Sequence, residues 1–153
     1  MFSGCNNDKK DIEEITMLCQ RETVYLNNES DGTTTTIPEG HDVTIMKVAG
    51  NSILELTMIS DWYLGLPEEY NIDNNIDQLI IDSENLYKDY DDIETINYKT
   101  NNSWHTYIRV NLRNPEEKTL QLFEKDSLNE DGTVNYEKMY NGLVESKYSC
   151  SLK

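Results

Sequence analysis

Histidine is the side chain that most often moves protons near neutral pH, and the sequence contains two, His41 and His105. A serine hydrolase built around either one would need a tight turn such as G-x-S-x-G to present its nucleophile, and that motif is missing. The seven glycines are isolated, so no phosphate-binding loop is indicated. We therefore expect surface or packing histidines and no catalytic residues.

Two groups of acidic residues have the composition of metal ligands. Residues 126–137 resemble a calcium loop around Gly132, but Ser127 takes the first ligand position and Lys138 stands where a bidentate glutamate is needed. The carboxylates of residues 89–92 give no sign of burial in the sequence. We expect a turn before a helix in the first case, a solvated face in the second, and no metal or cofactor.

The N-terminus carries a more specific motif. Phe2-Ser3-Gly4-Cys5 resembles a bacterial lipobox, in which an apolar residue and two small residues precede a cysteine that receives a diacylglycerol group. Phenylalanine replaces the usual leucine, and the polar residues that follow suit a tether. We expect lipidation at Cys5, with the hydrophobic part of the signal upstream of Met1. The alternative is a chance cysteine near the terminus.

If Cys5 carries lipid, Cys19 and Cys150 remain as a pair, and the compartment outside the membrane permits disulfides. A Cys19–Cys150 bridge would join the first predicted strand to the end of the chain. It would raise the free energy of unfolding by at most about 4–5 kcal/mol. The alternative is two separate buried thiols in a cytosolic protein. A cysteine-based metal site has little support because there is no C-x-x-C motif.

A candidate interaction surface lies on the alternating segment 103–113. One set of its side chains is apolar, and the other holds the only compact cluster of aromatic and basic groups, namely His105, Tyr107, Arg109 and Arg113. Tyrosine and arginine are enriched in protein interfaces. The alternative is that these residues pack on a helix or pair with carboxylates. The loop expected at residues 61–66, with Trp62, is a second candidate, and its other role would be to cover one edge of the core.

The chain has 29 acidic and 13 basic residues and a formal net charge of −16. Nucleic-acid binding depends on clustered lysine and arginine that release counterions from phosphates, so we expect none here. An anionic membrane surface is repelled in the same way. No segment approaches the roughly 20 apolar residues that span a bilayer. The 153 residues are enough for one ordinary domain.

Alternating apolar residues predict an antiparallel sheet of about five strands. The strands are expected at residues 14–26, 42–49, 52–60, 94–100 and 103–113, with turns at Asp31-Gly32 and Gly50-Asn51. Helical spacing predicts helices over residues 76–93, 115–124 and 134–147, the first capped by Asp73 or Asn75. The expected fold is α+β, with two to three helices packed on one face. Residues 1–13 would be the lipobox remnant and tether, and residues 14–153 the domain.

Together these features resemble the small uncharacterised lipoproteins of Firmicutes. The matching elements are the lipobox ending at Cys5, a first strand with Cys19, the hairpin at Gly50-Asn51 and the tail Tyr148-Ser149-Cys150. The resemblance implies anchoring on the outside of the bacterial cell membrane and implies no reaction. We expect non-enzymatic binding of a protein, a peptide or an envelope component. The alternatives are a cytosolic acidic inhibitor or interaction protein and a hydrolase whose site is not visible in the sequence.

Overall fold

The computed structural model describes residues 12–28, 30–64 and 76–153. Three expectations therefore lie outside the described residues: lipidation at Cys5, most of the tether, and the cap at Asp73 or Asn75. The described residues form a six-stranded antiparallel sheet in the order β4-β5-β3-β2-β1-β6. The strands are β1 (Glu14–Asn28), β2 (Thr34–Ala49), β3 (Ser52–Tyr63), β4 (Ile93–Lys99), β5 (Ser103–Asn111) and β6 (Ser149–Leu152).

The described helices are α1 (Ile76–Tyr87), α2 (Glu117–Leu120) and α3 (Tyr136–Glu145), with a 3-10 turn at Lys125–Ser127. They pack on one face of the sheet, which we call the core face, and we call the opposite face the outer face. Buried residues of the core face include Met17, Met46, Leu56 and Val110. The prediction of an α+β fold with helices on one face is confirmed.

The chain ends as a sixth strand where the sequence suggested only a tail. Lys147 follows α3 with a φ of 70°, which turns the backbone into β6. Strand β6 then pairs with β1 and brings Cys150 opposite Cys19. A strand of four residues carries too little periodicity to be recognised from sequence.

Helix α1 ends at Tyr87, six residues before the predicted boundary. Ile93 fits the helical spacing, yet it begins β4 and pairs with Val110 of β5. Pairing to a neighbouring strand buries Ile93 against the core and overrides the local periodicity.

Strands β1 and β2 extend beyond their neighbours as a two-stranded arm. Residues 24–28 pair with residues 34–38, and no other described strand pairs with either segment. The arm turns at Asp31-Gly32, as predicted: Gly32 has a φ of 85°, and Asp31 Oδ1 accepts a hydrogen bond of 2.8 Å from the Thr33 N–H.

Candidate functional site

Strand β5 carries most of the predicted interaction residues, and its alternation places them together. Ile108 and Val110 pack in the core. His105, Tyr107 and Arg109 alternate with them and therefore lie on the outer face. The described helices contact the core face, so they leave these residues uncovered.

Cross-strand register aligns an apolar row across the outer face. Val43 of β2 pairs with Ile59 of β3, Ile59 pairs with Tyr107 of β5, and Tyr107 pairs with Ile96 of β4. Directly opposed side chains in an antiparallel sheet lie about 4.5–5.5 Å apart, so these four residues form one continuous strip. We call them the apolar row. Ile96 is 49% exposed and the other three are half-buried. Because an uncovered sheet face is ordinarily polar, the strip is a candidate contact surface.

The basic residues of the outer face are paired with carboxylates. Arg109 Nη2 donates to Glu55 Oε2 at 2.6 Å, and Lys47 Nζ lies 2.9 Å from Glu55 Oε1. Arg113, just beyond β5, donates two hydrogen bonds of 2.8 Å to Glu14. These pairs engage the basic groups around the apolar row with carboxylates of the same sheet.

The same pairs lower the pKa values of two carboxyl groups. Hydrogen bonding from Arg109, followed by that from Lys47, holds the pKa of Glu55 below its ordinary value, although partial burial opposes the shift. The hydrogen bond from Arg113 lowers the pKa of Glu14. Both glutamates are therefore held as anions and serve the sheet's own ion pairs.

His105 lies at the centre of a hydrogen-bonded group on the outer face. Its Nδ1 is 2.6 Å from Asp61 Oδ1 of β3, and its Nε2 is 2.7 Å from Ser103 Oγ. A carboxylate can only accept, so in neutral His105 the proton resides on Nδ1 and Nε2 accepts from the serine hydroxyl. The Tyr98 ring of β4 stacks on the imidazole, with centroids 4.4 Å apart and planes 16° apart.

Sequence reasoning missed this group because it looked for a local turn motif. Ser103 and His105 lie two residues apart on one strand, whereas Asp61 is contributed by β3 through register with His105. The alternation of β5 predicts that Ser103 and His105 share a face, and that signal was present in the sequence. The contribution of Asp61 depended on strand pairing, which a single sequence does not give.

Trp62 does not belong to the outer face, and the prediction that it lies in a surface loop is wrong. Strand β3 continues to Tyr63, and Trp62 pairs with Trp104 on the core face. Residues 61–63 of the predicted loop belong to the strand because β5 supplies backbone partners as far as Ser103, and residues 65–66 lie outside the described residues. His41 lies on the outer face, in register with Asp61.

Cys19 and Cys150 form the predicted disulfide. Cys19 is fully buried in the core, and Cys150 packs against the same cluster from β6. Among the described residues, no group of three or more histidine, cysteine or acidic side chains is placed to hold a metal ion. None of the described helices has the length and apolar character needed to cross a membrane.

A cavity of about 260 Å³ lies on the other side of the sheet, between the core face and the helices. Its lining is almost entirely apolar and includes Leu56 and Ile108 from the sheet, Tyr87 from α1, and Met139 and Leu143 from α3. The space depends on how closely the helices approach the sheet, so the sequence carried no signal for it.

No protein-family model and no curated protein matches the sequence. The fold is similar to the NMR structure of a protein from Streptococcus pneumoniae TIGR4, with a TM-score of 0.51. The match covers 99% of this chain and 92% of the other, at 7% identity. At that identity the likeness concerns the fold alone.

Proposed function

We propose that this chain is a lipid-anchored domain on the outside of the bacterial cell membrane and that it binds a protein partner through the outer face of its sheet. The observation that carries the binding proposal is the apolar row, which crosses four strands on a face that the described helices leave uncovered. A row of this kind is typical of a surface that is buried in a complex.

The proposed location is supported by the disulfide and by the lipobox-like residues before Cys5. A disulfide with one fully buried cysteine is typical of an oxidising compartment. If Cys5 is the anchor, Cys5→Ser will move the protein from the membrane fraction to the soluble fraction, and the mature wild-type protein will carry the mass of its acyl chains. An unmodified Cys5 in the mature protein would contradict the anchoring proposal.

The chemistry of the outer face selects the partner. Its arginines and its lysine are engaged with Glu55 and Glu14, so they are not available to an acidic partner. The net charge of −16 repels acidic proteins at longer range. The expected partner therefore presents an apolar patch on a neutral or basic surface. Tyr107, at the centre of the row, is one of the three residue types enriched among the residues that dominate interface energies.

Site-specific photocrosslinking in the cells that produce the protein tests this proposal. A photoreactive residue at Ile96, which is 49% exposed, is compared with one at Val144 of α3, which is 44% exposed and lies on the opposite side. We expect a crosslinked protein of one defined mass from position 96 and none from position 144. Ile59→Asp, placed in the same row, should abolish that product. Equal crosslinking from both positions would contradict the proposal.

A second candidate function follows from the apolar cavity. A largely apolar cavity of this kind takes neutral aliphatic or aromatic molecules, and none of the described residues that line it is charged. In this alternative the bound envelope component is the apolar part of a small molecule. A fluorescent neutral alkyl probe would bind to the wild type, and Leu143→Phe, which fills the cavity, would weaken that binding, whereas Ile59→Asp would leave it unchanged.

A further inference from the structure

We propose that Ser103 is an activated nucleophile that accepts acyl groups from neutral carboxylic esters, with His105 as its general base. This activity goes beyond binding and does not depend on the protein partner proposed above. It rests on three side chains that strand register brings together on the outer face, Ser103, His105 and Asp61.

The three groups have the connectivity that a serine nucleophile requires. The two hydrogen bonds of His105, 2.7 Å to Ser103 Oγ and 2.6 Å to Asp61 Oδ1, use different ring nitrogens. Both distances are within the range at which a base can take a proton from a hydroxyl and a carboxylate can orient that base. Asp61 fixes the proton on Nδ1 and is a positioning residue, because it reaches Ser103 only through the imidazole.

Neighbouring residues hold this arrangement in place while leaving it accessible. The side chains of His105 and Asp61 are 22% and 31% exposed, so a solute can reach them from the outer face. Tyr98 stacks on the imidazole and restricts its rotation. Thr100 Oγ1 lies 2.9 Å from Ser103 Oγ and 3.2 Å from the Ser103 carbonyl oxygen, so its one hydroxyl proton is shared between these two acceptors while the serine proton points to His105.

The hydrogen bonding of the backbone N–H groups next to Ser103 indicates that ester turnover is slow. The N–H groups of Asn102 and Ser103 donate to Thr100 Oγ1 at 3.3 and 3.1 Å, so they are occupied when an oxyanion would need them. An oxyanion that lacks such donors is poorly stabilised. The reaction should therefore favour activated esters and accumulate an acylated serine.

The proposed step balances as an ordinary acyl transfer. Ser103 Oγ forms a bond to the carbonyl carbon as its proton passes to His105 Nε2. The bond from that carbon to the leaving oxygen breaks, and His105 returns the proton to the departing alcohol. Water then attacks the acyl-serine with His105 as base, which releases the carboxylic acid and restores the serine hydroxyl.

The apolar row indicates the acyl group. Tyr107 lies two residues beyond His105 on β5, about 7 Å along the same face, and Ile96 lies beside it on β4. Ser103 itself lies four residues before Tyr107, about 13 Å along the strand, so an acyl chain attached there must cross the stacked His105 and Tyr98 rings, and only a long chain reaches Tyr107 and Ile96. Asp61 beside the site disfavours an anionic substrate, so the expected class is a neutral ester with an aliphatic acyl chain.

Labelling with an alkyl fluorophosphonate tests the nucleophile. Attack by Ser103 forms an oxygen–phosphorus bond and expels fluoride, and mass spectrometry of peptides locates the adduct. We expect one adduct per chain, on Ser103. Ser103→Ala should abolish it, and His105→Ala should slow it at least about 100-fold, with partial recovery when imidazole is added. Ser151→Ala on β6 and His41→Gln on β2 are the matched controls and should label like the wild type.

The pH dependence of labelling tests the role of Asp61. The groups that face the imidazole are Asp61 of β3, Ser103 of its own strand and Tyr98 of β4, and His41 of β2 lies on the far side of Asp61. Removal of the contacting anion by Asp61→Asn should slow labelling and change the shape of its pH profile. An unchanged profile would overturn the assignment of Asp61.

Hydrolysis of p-nitrophenyl esters separates this proposal from protein binding. The dodecanoate ester, whose acyl chain is long enough to reach Tyr107 and Ile96, should release one p-nitrophenolate per chain in a burst that is faster than the acetate burst. Ile96→Asp should slow the dodecanoate burst more than the acetate burst, whereas Ser103→Ala should abolish both without affecting crosslinking from position 96. An unlabelled wild type, or Ser103→Ala protein that still labels, overturns the proposal whatever the crosslinking shows.

Discussion

The α-carbons of Cys19 and Cys150 lie 4.0 Å apart at directly opposed positions of β1 and β6, and the two side chains form a disulfide. The bond joins residues 131 positions apart in sequence. It therefore fixes the C-terminal strand against the first strand, and nearly the whole described domain lies within the closed loop.

Replacement of both cysteines by alanine should lower the free energy of unfolding by about 2–5 kcal/mol, because the loop no longer restricts the unfolded chain. Urea denaturation of the wild type and the double variant measures the difference. Reduction of the wild-type protein is the control and should produce a similar loss. A difference of less than about 1 kcal/mol would show that β6 is held by its other contacts.

Glu55→Gln should destabilise the fold by about 1–2 kcal/mol, because the carboxylate accepts charge-assisted hydrogen bonds from Arg109 and Lys47. Its side chain is only 14% exposed. Glu94→Gln is the matched control, since Glu94 lies 3.9 Å from Arg109 and is 57% exposed. The control should change stability by less than about 0.5 kcal/mol. Equal effects of the two substitutions would contradict the prediction.

Acidification should remove the contribution of the Glu55 carboxylate to the free energy of unfolding. Hydrogen bonds from Arg109 and then Lys47 lower its pKa in the folded state, so the stabilisation is present above the unfolded pKa of about 4.3. It is lost as the pH falls through the lower folded pKa. The difference in unfolding free energy between the wild type and Glu55→Gln, measured from pH 7 to pH 3, should therefore shrink with acid. A difference that grows with acid would contradict this sign.

Gly40→Ala should be destabilising because β2 and β3 approach each other closely at this residue. An added Cβ would lie 2.2 Å from the backbone oxygen of Asp61, so one strand must shift. We expect a loss of about 2 kcal/mol or more. Gly142→Ala in α3 meets no atom within 4 Å and should stabilise by about 0.5–1 kcal/mol. The midpoint temperature of thermal unfolding should therefore fall for Gly40→Ala and rise for Gly142→Ala, relative to the wild type.

Asn135→Ala should destabilise α3 by about 1–2 kcal/mol, because Asn135 is the N-cap residue. Its Oδ1 accepts from the Lys138 N–H at 2.9 Å, and its Nδ2 donates to Asn129 Oδ1 at 2.7 Å. Asn141→Ala, at an exposed position within the same helix, is the control and should not destabilise the protein. Equal losses in chemical denaturation would show that the cap contributes nothing specific.

Much of the fold could be predicted because its signals are local. The alternation of β5, the turn at Gly50-Asn51 and the start of α1 at Ile76 were each visible in the sequence. The predictions were wrong where tertiary pairing outweighed periodicity. Ile93 joined a strand, and Trp62 became part of β3 because β5 lies beside it.

The acidic surface could be read from the linear sequence, as could the pair of cysteines available for a disulfide and the set of residues that alternates along β5. These properties follow from composition and from the two-residue repeat of a strand. The folded chain was needed to establish that Arg109 faces Glu55, that Asp61 reaches His105, and that four strands align an apolar row. Each of these contacts joins residues far apart in the chain, and strand order and register, which one sequence does not specify, bring them together.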